Sequence, residues 1–367
     1  MVGATGIEPV ATAMSRQCST AELRAHHLLL PGSKPFGSAE ARSSTLPETD
    51  WQERERDAPP LSRYEHGMDF LPVLPDHEAL DCRLPAHQTV PVVVASPHSG
   101  SIYPAAFLEQ AAVPLAALRR AEDAFVDELF AAAPSLGMPF LAARFPRSYV
   151  DANREPYELD PGMFEGPLPR PLNHRTTRVA AGLGMIPRVA ASGEAIYRGR
   201  VPSDTIEHRL ETCWRPYHQT LSLLVEHTYS TFGGALLIDA HSMPSSASTL
   251  GSRDRDQRVD IVLGDNHGEA CAPEFTAAAE RWFRARGLRV LRNQPYAGGF
   301  TTQRYGRPAL SRHTLQIEIN RALYMDEARH ERLPVAGVVA RLMTGLLETM
   351  AEQACATLLP QRPLAAE

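Results

Sequence analysis

Two histidines stand directly after apolar runs: His98 in "TVPVVVASPHSG" and His241 in "GGALLIDAH". An imidazole just past a buried strand points into the crevice where α/β sheets bind ligands. Asp123 and Asp127 are four apart in a segment of helical apolar spacing, so they would share one helix face. Two imidazoles and one carboxylate are the usual donor set of a catalytic zinc with one position left for water. Asp239, two before His241, could orient that imidazole from behind. Glu318, in "TLQIEINRAL", is a carboxylate among Leu315, Ile317 and Ile319, costly to bury without a task. Beside a cation it would have one: take a proton from attacking water, then return it to a leaving amine. The cation would also polarise the scissile carbonyl. Arg154, in "VDANREP", and Arg321 suit two-pronged capture of a substrate carboxylate. Arg147 is a further candidate of that kind.

Each residue also has a plainer explanation. A histidine after a strand is commonly a structural hydrogen-bonder. The two aspartates could be a solvated helix face or a cap, and the arginines could pair with acids inside the fold. The glycines of "PYAGGFTTQRYG" suit a tight turn. His174, His208, His218, His227, His267, His313 and His330 share no pattern and are expected to be structural or exposed. Ser99 and Ser242 flank the key histidines, yet no GxSxG elbow accompanies them, which argues against a serine hydrolase.

Composition narrows the choices. The chain has 367 residues, 43% hydrophobic and 22% charged, as expected of a soluble α/β domain. A net charge of -6 gives no reason to expect nucleic acid or an acidic membrane surface as partner. No apolar run approaches the roughly 18 residues needed to cross a bilayer. The partner expected is a small molecule; composition leaves the oligomeric state open. Cys18, Cys82, Cys213, Cys271 and Cys355 form no CxxC pair, which points to a reducing, cytoplasmic setting. Of the 37 Lys and Arg residues only Lys34 is a lysine. If it stands outside the folded domain, Schiff-base and P-loop chemistry are excluded.

Elements must hold these groups in place. "TVPVVVAS" (89–96) has the continuous β-branched pattern of a strand buried on both faces. Residues 114–133 have helical periodicity, with Pro114 suited to the first turn. "MPFLAARF" and "SYVDAN" are expected to be short strands. Residues 155–202, rich in Pro, Gly and Arg, are expected to be a long irregular excursion that serves as a lid or binding loop. A helix at about 204–230 precedes the 233–241 strand. A strand at 259–265, a helix at 273–287, a strand at "LRVLRN" and a final helix at about 333–352 follow. In 314–320, Leu315, Ile317 and Ile319 face one way and Gln316, Glu318 and Asn320 the other. This alternation predicts an α/β fold, one three-layer domain whose mostly parallel sheet lies between helices. Residues 1–67 have no periodic apolar segment, and "GIEPV" and "CSTAELRAHH" look like a translated antisense transfer-RNA gene. The expected start is Met68, after a disordered or spurious extension, with a catalytic domain over 68–360.

Seven ordered blocks then carry a resemblance: "SPHSGSIYP", "EDAFVDELF", "FPRSYVDANREP", "LLIDAHSMP", "DIVLGDNHG", "NQPYAGGFTTQRYG" and "LQIEINRALYMDE". Over residues 88–350 the chain resembles the N-formylglutamate amidohydrolases. That family is similar in fold to the zinc carboxypeptidases and to the aspartoacylase and succinylglutamate desuccinylase enzymes. The resemblance implies a twisted mixed sheet between helices, zinc ligands at His98 and His241, and a catalytic Glu318. It implies that Asn153 and Arg154 bind a substrate carboxylate. The carboxypeptidase group takes its acidic ligand from an HxxE motif, but Ser101 stands three after His98. The ligand would come from Asp123 or Asp127. The implied reaction is hydrolysis of N-formyl-L-glutamate to formate and glutamate, the last step of histidine breakdown. Another N-acyl-amino-acid amidohydrolase or carboxypeptidase-like metallohydrolase, or a non-catalytic binder of acidic metabolites, stands as the alternative.

Overall fold

The computed structural model describes residues 77–247 and 258–359. The expected extension 1–67, the start at Met68 and Lys34 lie outside the described residues. The central sheet has seven strands: β1 Leu80–Arg83, β2 Val92–Ser96, β3 Phe140–Ala143, β4 Ala235–Met243, β5 Ile261–Gly264, β6 Val290–Arg292 and β7 Arg312–Asn320. Their order across the sheet is β1-β3-β2-β4-β7-β5-β6. β3, β2, β4 and β7 run parallel, β1 is antiparallel to β3, and β5 and β6 run parallel to each other and antiparallel to β7. The architecture is the expected α/β one, a mixed and mostly parallel sheet with helices on both faces.

The valine run explains why β2 is central. Val92, Val93 and Val94 are fully buried, and each such side chain contributes about 1.5–3 kcal/mol by leaving water. Alternation splits them between two cores. Val92 and Val94 join Leu236, Ile238, Leu315, Ile317 and Ile319 under helices α4 Pro273–Arg284 and α5 Ala336–Leu358. Val93 and Ala95 join Leu237 on the other face, under α3 Arg215–Phe232. α3 continues a helical turn at Asp204–Arg209 through a π-helical segment at Leu210–Trp214.

Two expected elements differ. The periodic stretch 114–133 is not one helix: it breaks into α1 Leu115–Arg119 and α2 Val126–Leu129. Phe125 between them has φ 65°, a left-handed conformation that ends any α-helix passing through it. "SYVDAN" is a turn rather than a strand, because no neighbouring strand pairs with it. Residues 155–202 are largely irregular, as expected, but they are tied down. Leu159, Met163, Phe164, Met185, Ile186 and Ile196 are buried in the core beneath α3. None of the helices among the described residues is long and apolar enough to cross a membrane.

Candidate metal centre and substrate cavity

The carboxyl ends of β2, β4 and β7 converge on one polar cluster. In β4 and β7 the parallel register sets Asp239 opposite Gln316 and His241 opposite Glu318. Residues two apart on a strand share a face, so these four side chains stand on one side while Ile238, Ala240, Leu315 and Ile317 fill the core behind. His98 follows β2 after Ser96 and Pro97. Gly100 lets the chain turn there: a Cβ on it would lie 2.2 Å from the Phe145 carbonyl oxygen. The Asp123 amide donates to the His98 carbonyl at 3.0 Å, which brings the loop between α1 and α2 to the same point.

The imidazoles of His98 and His241 have centroids 4.8 Å apart. Their Nδ1 atoms lie 3.4 Å and 3.0 Å from Asp123 Oδ2. His98, Asp123 and His241 thus offer three ligand atoms within 4.8 Å of one another, all buried. The far edge of each ring meets another carboxylate. His98 Nε2 lies 2.7 Å from Asp151 Oδ1, and His241 Nε2 lies 3.1 Å from the fully buried Asp239. A ring nitrogen that holds its proton toward a carboxylate leaves the other nitrogen's lone pair for a metal. His98 Nδ1 is buried with no hydrogen-bond partner among the described residues, a vacancy in bonding that a cation fits.

Expected acids and bases fall into place unequally. Asp123 is in the cluster; Asp127 is not. The helix that would have put both on one face starts only at Val126, so Asp127 projects elsewhere, half-buried, where it feels Glu128 and Arg83. Arg321 lines the cavity and is tied into the cluster. Its guanidinium donates to Asp123 Oδ1 at 2.9 Å, to Ser242 Oγ at 3.1 Å and to the Arg120 carbonyl at 2.9 Å. Arg147 donates to Asp151 Oδ2 at 2.8 Å, and an Arg154 nitrogen lies 3.8 Å from the same oxygen. Arg154 further donates to the Leu183 and Asn153 carbonyls.

Asn153 is buried beside the cluster. Its Nδ2 is 3.3 Å from His241 Nε2, while Oδ1 accepts from the Thr301 amide at 2.8 Å. Gly299 makes this approach feasible, since a Cβ there would come within 2.3 Å of the Asn153 amide. "PYAGG" is an irregular loop shaped by contact with the site, not the tight turn expected. From the other side, α3 fixes the backbone of 152–154: His218 Nε2 bonds the Ala152 carbonyl at 2.8 Å and Trp214 Nε1 donates to the Arg154 carbonyl at 2.9 Å.

Electrostatics follow from this packing. Burial alone would raise the Asp123 carboxyl, but His241, His98 and Arg321 hold it well below the ordinary carboxylate range. Burial is likewise outweighed at Asp151, by Arg147, Arg154 and His98. At Glu318 burial prevails and pushes the carboxyl up to about 7, against the pull of His241. Gln316 Nε2 donates to Glu318 Oε1 at 2.8 Å and fixes its orientation. The cluster opens into a cavity of about 570 Å³. Glu318, Asp151, Arg147 and Arg154 line it, as do Tyr296 and, from the irregular excursion, Arg178, Leu183 and Val189.

Comparison with known proteins accords with this geometry. The family model for N-formylglutamate amidohydrolase matches residues 90–325. The chain belongs to the N-formylglutamate amidohydrolase family. An N-formylglutamate deformylase of Pseudomonas aeruginosa is 32% identical over 243 residues, 65% of this chain and 83% of that protein. One from Pseudomonas putida is 30% identical over 287 residues, 75% and 99% of the two chains. The crystal structure of N-formylglutamate amidohydrolase from Ralstonia eutropha JMP134 superposes with a TM-score of 0.71 at 37% identity. It covers 76% of this chain and 99% of that one. The family match spans all three candidate ligands, Glu318, Asp151 and Arg321.

Asp151 and Arg178 were missed by sequence reasoning. Asp151 lies 53 residues from its partner His98 in a stretch without periodicity, and its only signal was the density of polar residues in "VDANREP". Arg178 had no local signal at all.

Proposed function

We propose that this chain hydrolyses N-formyl-L-glutamate to formate and L-glutamate, with a divalent cation, zinc by its donor set, held by His98, Asp123 and His241. The observation that carries the reading is the buried His98 Nδ1, which makes no hydrogen bond, set beside His241 Nδ1 and Asp123 Oδ2, with Glu318 in register opposite His241. Membership of the family and the activities named for its relatives supply the substrate. When bound, the cation would acidify a water and polarise the formyl carbonyl.

The chain's own groups do the rest. Glu318 takes a proton from the attacking water, and the new C–O bond forms at the formyl carbon. As the C–N bond breaks, Glu318 returns that proton to the nitrogen, which leaves as the amine of glutamate. A carboxyl held near 7 by burial can both accept and release a proton at neutral pH. Asp151 holds the His98 imidazole in the tautomer that offers Nδ1, and Asp239 places a carboxylate beside the far nitrogen of His241. Arg147 and Arg154, beside Asp151 at the cavity wall, attract the α-carboxylate next to the scissile amide. The reaction would serve as the last step of histidine breakdown, in the cytoplasm. The four described cysteines, all free thiols, favour such a reducing setting.

The test is a substrate panel run with the metal-loaded enzyme: N-formylglutamate against N-acetylglutamate, N-succinylglutamate and N-formylaspartate. N-formylglutamate should have the highest kcat/KM. Equal or better turnover of another acyl amino acid would displace it as substrate. Absence of metal after purification, together with unchanged behaviour of Glu318→Ala, would make the chain a binder of acidic metabolites.

A further inference from the structure

Five arginines line the cavity, and their pairing is uneven. Arg321 is committed to Asp123, and Arg147 and Arg154 share Asp151. Arg120 and Arg178 have no side-chain hydrogen bond or ion pair among the described residues. Arg120 is exposed, whereas Arg178 is half-buried. Arg178 sits on a short helical turn, Thr177–Ala180, whose N-cap Thr176 accepts from the Val179 amide and donates to the buried Glu158. Val179 is buried, so the turn is anchored and Arg178 is presented from a fixed base. Burial disfavours the charge on Arg154 against the pull of Asp151, and the Arg178 guanidinium adds to that effect. Two like charges held together, with no acid assigned to the second, are costly unless an anion arrives.

Leu183, Pro187 and Val189, from the same excursion, line the cavity as an apolar wall. Leu183 is 41% exposed, a large apolar side chain left uncovered at the cavity. A glutamyl substrate has matching parts: an α-carboxylate beside the reacting amide, two methylenes, and a second carboxylate. We propose that Arg178 binds the substrate's side-chain carboxylate, with Leu183 and Val189 against the two methylenes, and so selects glutamyl over neutral side chains. The assignment rests on the deformylase reading above and goes beyond it by naming the residue that reads the side chain.

The test compares wild type, Arg178→Gln, Arg178→Lys and Arg120→Gln on N-formylglutamate and on its neutral isostere N-formylglutamine. Arg178→Gln should lose roughly 10- to 100-fold in kcat/KM on N-formylglutamate, the worth of one charge-assisted contact. The loss should appear mainly in KM, since the contact is made alike in ground and transition states. N-formylglutamine should be cleaved as well as by wild type, which also shows that the variant is folded. Arg178→Lys should recover part of the preference, and Arg120→Gln should keep all of it. Equal losses on both substrates would mean a structural role and overturn the assignment. So would an intact preference in Arg178→Gln, or its loss in Arg120→Gln instead. A wild type that cleaves neither formyl amide would sink the deformylase reading, and the assignment with it.

Discussion

His98 and Asp123 are joined twice: the Asp123 amide donates to the His98 carbonyl at 3.0 Å, and His98 Nδ1 lies 3.4 Å from Asp123 Oδ2. The backbone bond fixes the loop, and the fixed loop fixes the carboxylate. A ligand preset in this way loses little freedom when a cation binds, which favours affinity. Asp123→Asn keeps the shape and the backbone bond but removes the charge. Its metal affinity should fall by more than the roughly 10- to 100-fold typical of groups behind the ligands. Metal content after dialysis against a chelator series measures this; wild-type retention in the variant would remove Asp123 from the ligand set.

Asp151 sits behind the candidate ligand His98, and it also pairs with Arg147 and Arg154. Asp151→Asn should cost about 10- to 100-fold in metal affinity or activity, because the His98 ring loses the acceptor that fixes its tautomer. The lost charge also leaves Arg147 and Arg154 unbalanced, so inhibition by glutamate should strengthen even as turnover falls. Weaker glutamate inhibition in the variant would contradict the place given to those arginines.

How far the sequence disclosed this site depends on how each residue is held. His98 and His241 were legible because each ends an apolar run, and a buried strand in a parallel sheet leads to the ligand-binding edge. Glu318 was legible because strand alternation in "TLQIEIN" put a carboxylate on the polar face of the strand, the face that lines the cavity. The choice between Asp123 and Asp127 was not, because the left-handed Phe125 breaks the helix whose periodicity would have aligned them. Arg321 was recognised as chemically apt, but its partners come from β4 and from the α1–α2 loop, 79 and 198 residues away. Asp151 and Arg178 lie in segments without a period, where only three-dimensional contact reveals a role.

Glu318 is assigned the proton transfer, so replacing it should spare binding and remove rate. Glu318→Gln should lower kcat by roughly 10²- to 10⁴-fold, the range for a positioned acid–base group. Metal content should be unchanged, since Glu318 is not among the clustered ligands. A variant that loses metal as well would place Glu318 in the coordination sphere. One that keeps full kcat would assign the proton to another group.

His218 supplies a test of the scaffold behind the site. It is buried between the Ala152 carbonyl and the Tyr305 hydroxyl, and burial pushes its pKa down to about 3 from an ordinary 6.5. Below pH 6.5 the unfolded chain binds a proton that the folded chain refuses, so the folded state loses ground as pH falls. The stability that His218 contributes is fully present above 6.5 and is lost toward pH 3, by about 1.4 kcal/mol per pH unit within that window. Denaturant unfolding of wild type and His218→Gln between pH 6 and 4 should therefore give slopes that differ by about this amount, the variant being the shallower. Parallel slopes would show that the imidazole is already protonated in the fold. The contact that holds Ala152, and through it Asn153 against His241, would then be of a different kind.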